Sequence, residues 1–166
     1  MPIQDVFDRH AHILPGRIIH IGACLCEERD LYLRHGVSDA DVVWIEANPD
    51  LVERAREMFP RATIRQGLIS DRAGTQASFH ITNNLQSSSM IELHEHFREH
   101  PRVVKTRTII LETTTVPALL KQNGLPTEGY DSKATTSSTW ISKAPSCWRC
   151  AAWGTCCVAS GRSTPR

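Results

Sequence analysis

The sequence predicts an α/β fold built on a parallel sheet, and three observations carry that prediction. Two short, nearly unbroken apolar runs, Arg17 to Gly22 and Val42 to Ala47, read as strands buried on both faces. A stretch of helix formers follows each run and is closed or opened by a residue suited to the task. The resulting β-α-β-α-β pattern fits within the first seventy residues of a chain of 166, a length suited to one domain.

Taken in order, Arg17-Ile-Ile-His-Ile-Gly22 is the first strand and its turn. Glu27 to His35 is predicted as a helix, with Gly36 as a left-handed stop. The second strand, Val42 to Ala47, leads into Asn48-Pro49. That pair provides an N-cap followed by proline in the first turn, with Asp50 favourable at the positive helix end. Leu51, Ala55, Met58 and Phe59 form the expected inward stripe. Ala62 to Ile69 is predicted as one third strand, and Ser70 to Gly74 as a turn. Ala77, Phe79 and Ile81 alternate inward along a half-buried antiparallel strand. Asn83 to Ser89 is a polar loop, Met90 to Glu99 a helix, and Val103 to Leu111 another strand. Leu119 and Leu120 belong to a short helix closed by Gly124.

Charge excludes some functions. Nineteen basic against 18 acidic side chains leave no electrostatic footprint for nucleic acid or an anionic membrane. No apolar run is long enough to span a bilayer, and the N-terminus lacks a secretory layout. A cytoplasmic location is the expectation, with no nucleic-acid or membrane partner.

Chemistry is expected at the strand ends, since a doubly wound sheet binds ligands beyond the carboxyl ends of its strands. Gly22-Ala23 is a small-residue turn that lets a nucleotide approach the backbone. Glu46, 24 positions on, ends the second strand, where a carboxylate can accept both hydroxyls of an adenosine ribose. A plain α/β domain with a tight turn and a solvated glutamate has the same spacing. The turn reads Gly22-Ala-Cys-Leu-Cys-Glu27 and not G-x-G-x-x-G, which disfavours NAD. His96 and His100 share a helix face near His94. A structural zinc wants four ligands, so a solvated face is expected and no metal.

A set of local strings appears in one order: I-H-I-G-A at 19–23, E-R-D at 28–30, W-I-E-A-N-P at 44–49, L-I-S-D-R-A-G at 68–74 and Q-S-S-S at 86–89. The segment from His94 to Pro101, the run Thr113-Thr114-Thr115 before Leu119-Leu120, and Gly129-Tyr130-Asp131 follow. Over residues 17 to 131 the set resembles the FkbM family of methyltransferases. The resemblance implies a Rossmann-like class I methyltransferase fold, here incomplete, with an antiparallel insertion beside the parallel sheet. It implies S-adenosylmethionine as cofactor and a hydroxyl of a small molecule or glycan as methyl acceptor. Gly22 and Ala23 would form the methionine-side turn, Glu46 would hold the ribose, Ala47 would lie under the adenine, and Leu68 near its edge. Cys26 stands where the family has a second glycine; if the backbone there needs positive φ, a side chain costs about 1–2 kcal/mol. Gln86, Ser87 and Ser88 could face substrate, while capping of the next helix accounts for at least one serine of this cluster.

Composition breaks at Asp131. Beyond it acidic residues vanish, and the last 20 residues hold four of the six cysteines (Cys147, Cys150, Cys156, Cys157). The strand and D-x-Q-G-x-E-L motif that the family pattern requires are missing. Reading each codon one base earlier restores them: Trp140-Ile141 must then encode aspartate, and Cys147-Trp148 leucine. Lys143-Ala144 permits glycine, and Pro145-Ser146 glutamate. Residues 1–131 are therefore expected to be the N-terminal part of a methyltransferase domain. Residues 132–166 are expected to be a non-native, unstructured tail. Such a chain is expected to expose an inner strand's apolar faces, to be unstable, and to transfer no methyl group. The alternative is a non-catalytic α/β protein whose cysteine-rich tail binds a metal or a partner.

Overall fold

The computed structural model describes residues 17–91, 99–130 and 136–137. Strand β1 (Ile18–Ile21) pairs in parallel with β2 (Val42–Glu46), Ile18 opposite Val42 and Ile21 opposite Ile45. β2 pairs in parallel with β3 (Thr63–Gln66), Glu46 opposite Gln66. Every residue of β1 and β2 is buried, as the unbroken apolar runs require.

Period-two alternation sends one set of side chains to each face. Ile18, Trp44 and Ile64 pack against Leu31 and Tyr32 of helix α1 (Arg29–Arg34) and against Val52 and Ala55 of helix α2 (Pro49–Met58). Ile19, Ile21, Val43 and Ile45 pack on the other face against Val116, Leu119 and Leu120 of helix α3 (Val116–Gln122). Helices thus cover both faces, and Ile18, Ile19 and Ile21 are no more than 5% exposed.

The helix ends follow local chemistry. Asn48 caps α2 by accepting the Asp50 N–H at 3.1 Å, with Pro49 in the first turn. Thr115 caps α3 through the Ala118 N–H at 3.3 Å. Gly36, at φ +82°, closes α1. Two residues of the expected α2 stripe differ. Met58 is 55% exposed, because the last turn of α2 carries it past the sheet. Phe59, just beyond the helix, is only partly buried and lies under the Arg29 guanidinium, 4.8 Å from its ring centre.

The expected third strand is two strands. After β3 the chain crosses at Gly67 to β4 (Leu68–Ile69), which belongs to a second, mixed sheet of order β4-β6-β5. A Cβ at Gly67 would stand 3.1 Å from Leu119 Cδ1, so a larger residue there would push the Leu119 side chain aside. β5 (Gln76–Thr82) runs antiparallel to β6 (Lys105–Thr114), Gln76 opposite Glu112, and β4 joins β6 in parallel, Leu68 opposite Thr113. Phe79 and Ile81 are buried as expected, whereas Ala77 is only partly so. His80 and Thr82 are buried too, because the 83–89 loop folds back and Ser89 exchanges both backbone hydrogen bonds with His80. Residues 92–98, which hold most of the expected Met90 to Glu99 helix, lie outside the described residues.

Within the expected unstructured tail, Thr136–Ser137 forms a short strand, β7, parallel to β1 at His20 and Ile21. The rest of the tail lies outside the described residues. The first sheet has the order β3-β2-β1-β7. Among the described residues no helix is long and apolar enough to cross a membrane.

Candidate functional site

A cavity of about 380 Å³ opens beyond the carboxyl ends of β1 and β2, between them and the second sheet. Its floor is made by the turn after β1. Gly22, at φ +79°, directs its own N–H and that of Ala23 onto one carbonyl, Ile45 O, at 2.8 and 3.0 Å. This holds the turn against the end of β2. Cys24 (φ +46°) and Cys26 (φ +57°) continue in the left-handed region, and the Cys26 N–H reaches Ala23 O at 2.6 Å. The expected positive φ at Cys26 is therefore present, with the strain it brings to a residue bearing a Cβ.

Glu46 ends β2 with its side chain 7% exposed. Its Oε2 accepts the Cys24 N–H at 2.8 Å and its Oε1 the Asn48 N–H at 2.8 Å. Burial pushes the carboxyl above the ordinary glutamate range, against the pull of those N–H groups. A carboxylate oxygen accepts two hydrogen bonds, so each retains a second acceptor position after binding its N–H.

The predicted site residues converge with one exception. Gly22, Glu46, Ala47, Leu68, Gln86, Ser87 and Ser88 all line this cavity. Ala23 does not. It is 1% exposed and packs in the core with Ile18 and Trp44, because satisfying Ile45 O turns its methyl inward. Ser87 Oγ accepts the Asn84 amide at 2.8 Å, and Ser88 Oγ accepts the Thr82 N–H at 3.2 Å. Ser89 Oγ accepts the Ile91 N–H at 3.0 Å; most of the helix it was expected to cap lies outside the described residues. Gln86 Nε2 donates to Glu27 Oε1 at 3.3 Å, joining the serine loop to the turn after β1.

Sequence reading missed Glu27, Glu28, Cys24 and Phe79 as cavity residues. The signal for the two glutamates was their position directly after the Gly22 turn, where side chains at the start of a helix face the strand ends. Glu28 is partly buried, which raises its carboxyl pKa, and its Oε2 lies 3.7 Å from His20 Nε2. His20 is neutral, since full burial lowers its pKa to about 3; its Nδ1 is 2.9 Å from the Tyr32 hydroxyl. Burial raises the Cys24 and Cys26 thiols to about 12, so neither is a nucleophile at neutral pH. Among the described residues no group of three or more His, Cys, Asp or Glu is placed to hold a metal; His94 and His96 lie outside them. Comparison with models of known families, with curated proteins and with solved structures returns no match.

Proposed function

We propose that this cavity is the adenosyl-binding site of a methyltransferase-family protein that takes S-adenosylmethionine, and that the chain as written transfers no methyl group. The observation that carries the reading is Glu46. Its carboxylate is buried at the rim of a parallel sheet, fixed by two backbone N–H groups, and keeps one acceptor position on each oxygen. Two vicinal hydroxyls are the natural complement of two adjacent acceptor positions, and a ribose presents them. The volume falls within the range of about 300–1,000 Å³ that suits small-molecule and cofactor sites. Ala47, Leu68 and Phe79 give the apolar wall an adenine needs. The parallel β3-β2-β1 order, with helices on both faces, is what one half of a Rossmann-like class I methyltransferase fold would look like.

S-adenosylmethionine, when bound, supplies a methyl on sulfonium that is open to in-line attack. The protein's part is to align donor and acceptor. Glu46 fixes the ribose and so the direction of the chain beyond it. Gln86, Ser87 and Ser88 offer the polar groups that would meet the hydroxyl of a small molecule or glycan. The D-x-Q-G-x-E-L segment that would complete the site in the resembled family is absent from the sequence as written, which is why transfer is not expected.

The test is a binding measurement beside a transfer measurement. Thermal denaturation of the whole chain should be cooperative and shift upward with S-adenosylmethionine. Labelled methyl should not appear in any hydroxylated acceptor. Cooperative melting that no adenosyl compound shifts would remove the proposal.

A further inference from the structure

Of the described residues that line the cavity, three are carboxylates, Glu27, Glu28 and Glu46, and none is lysine, arginine or histidine. The nearby basic groups are engaged elsewhere or uncharged. Arg29 is held by Asp39 at 2.6 Å, and His20 behind Glu28 is neutral. Several backbone donors of the turn are already spent. In nucleotide-binding turns the N–H groups after the first strand point at phosphate. Here those of Gly22 and Ala23 are spent on Ile45 O, that of Cys24 on Glu46, and that of Cys26 on Ala23 O. The Asn48 N–H also goes to Glu46. The remaining polar side chains, Gln86, Ser87 and Ser88, carry no charge.

We infer that the cavity selects its ligand by positive charge, favouring an adenosyl sulfonium over its uncharged thioether and excluding nucleoside phosphates. The inference rests on the nucleoside reading of Glu46 and adds the class of group that lies beyond the ribose. It orders four ligands. Decarboxylated S-adenosylmethionine, doubly cationic and without a carboxylate, binds tightest. S-adenosylmethionine follows, then S-adenosylhomocysteine. Adenosine 5′-monophosphate binds weakest. Loss of the methyl group discharges the sulfur, so the product of any transfer leaves more readily than the donor.

Titration calorimetry on the whole chain, with adenosine as a fifth ligand, tests this. The sulfonium should bind about tenfold more tightly than the thioether, and the gap should narrow as salt is raised. In the Glu27→Gln/Glu28→Gln double variant the gap, read as the ratio of sulfonium to thioether affinity within the same variant, should shrink to about threefold or less. Glu27 is exposed, so Glu27→Gln alone leaves the fold intact and should narrow the gap by part of that amount even if the double variant is unstable. A thioether that binds as tightly as the sulfonium, or a gap that survives the substitutions, overturns the charge selection while leaving the nucleoside reading standing. Failure to bind adenosine removes both.

Discussion

Deleting one ribose hydroxyl from the ligand probes Glu46 without disturbing the protein. The structure leaves one acceptor position on each Glu46 oxygen, because Oε1 already holds the Asn48 N–H and Oε2 the Cys24 N–H, both at 2.8 Å. Each ribose hydroxyl would donate to one of those positions. A hydrogen bond to a charged group contributes about 1.5–3 kcal/mol net, more when the acceptor is shielded from water. Glu46 is 7% exposed, so the upper part of that range applies. Converted at about 1.4 kcal/mol per decade, removal of either hydroxyl should weaken binding by roughly 40- to 150-fold. Calorimetry with adenosine, 2′-deoxyadenosine and 3′-deoxyadenosine measures it directly. Glu46→Asp withdraws the carboxylate by one methylene and should compress all three affinities toward one value. If both deoxynucleosides bind within about twofold of adenosine, Glu46 does not hold a ribose and the functional reading collapses with it.

Burial, opposed by the N–H groups of Asn48 and Cys24 and reinforced by Glu27, sets the Glu46 carboxyl above its ordinary pKa. Ribose affinity should therefore fall on acidification before an ordinary glutamate would protonate. Stability should run the other way: the folded state holds this proton more tightly than the unfolded chain, so the Glu46 contribution is best below the unfolded value and declines as pH rises through the folded one. Calorimetry and urea unfolding across that window separate the two trends, and parallel trends would contradict the assignment. The Trp44 indole N–H is buried without an acceptor among the described residues, so Trp44→Phe relieves about 1–3 kcal/mol that offsets most of the lost packing. Urea unfolding should register a net change of about 1 kcal/mol or less; a loss above about 3 kcal/mol would mean the N–H is satisfied. At Cys26, φ +57°, glycine should be tolerated within about 1 kcal/mol whereas β-branched valine should cost more than about 2 kcal/mol, and equal stabilities would argue against a left-handed turn. If the late cysteines are the by-product of a shifted frame, metal analysis should find no stoichiometric zinc and Cys150→Ser should change nothing; zinc lost on that substitution would favour the alternative.

What could be read in the sequence tracks how local each determinant is. β1 and β2 were legible because a strand covered on both faces has no room for a polar residue except one with a buried partner, and His20 has Tyr32. Glu46 was legible as the charge that ends such a run, and α2 by the Asn48-Pro49 signal. The break at Gly67 was not legible. Ala62 to Ile69 holds only one glycine between two short strand-like pieces, and the packing of Leu119 against Gly67 comes from a helix about fifty residues later. The burial of Ala23 was not legible for a related reason: a small residue beside a glycine suits a ligand contact, but its N–H is held by Ile45 O across the sheet and its methyl packs in the core. Glu27 and Glu28 looked like the solvated start of a helix because the wall they face comes from the 83–89 loop, some sixty residues later.

The same non-local bond, from the Cys24 N–H to Glu46, ties the sequence departure to the choice of ligand. A turn with a second glycine can swing its N–H groups outward at no steric cost, which is how dinucleotide sites meet a pyrophosphate. Here two cysteines carry the positive φ values; the Cys24 N–H holds the buried Glu46 carboxylate and the Cys26 N–H closes the turn on Ala23 O. The arrangement spends on an internal anion the donors that an external anion would need. On the adenosyl reading proposed above, such a site would recognise the ribose through the carboxylate itself, and whatever extends beyond the ribose would meet Glu27 and Glu28 with no compensating cation among the described residues that line the cavity. The proposed phosphate exclusion then depends on the Cys24–Glu46 bond as well as on those side chains, and a variant that freed the Cys24 N–H, such as Glu46→Ala, should lose ribose discrimination and relax the rejection of nucleoside phosphates together.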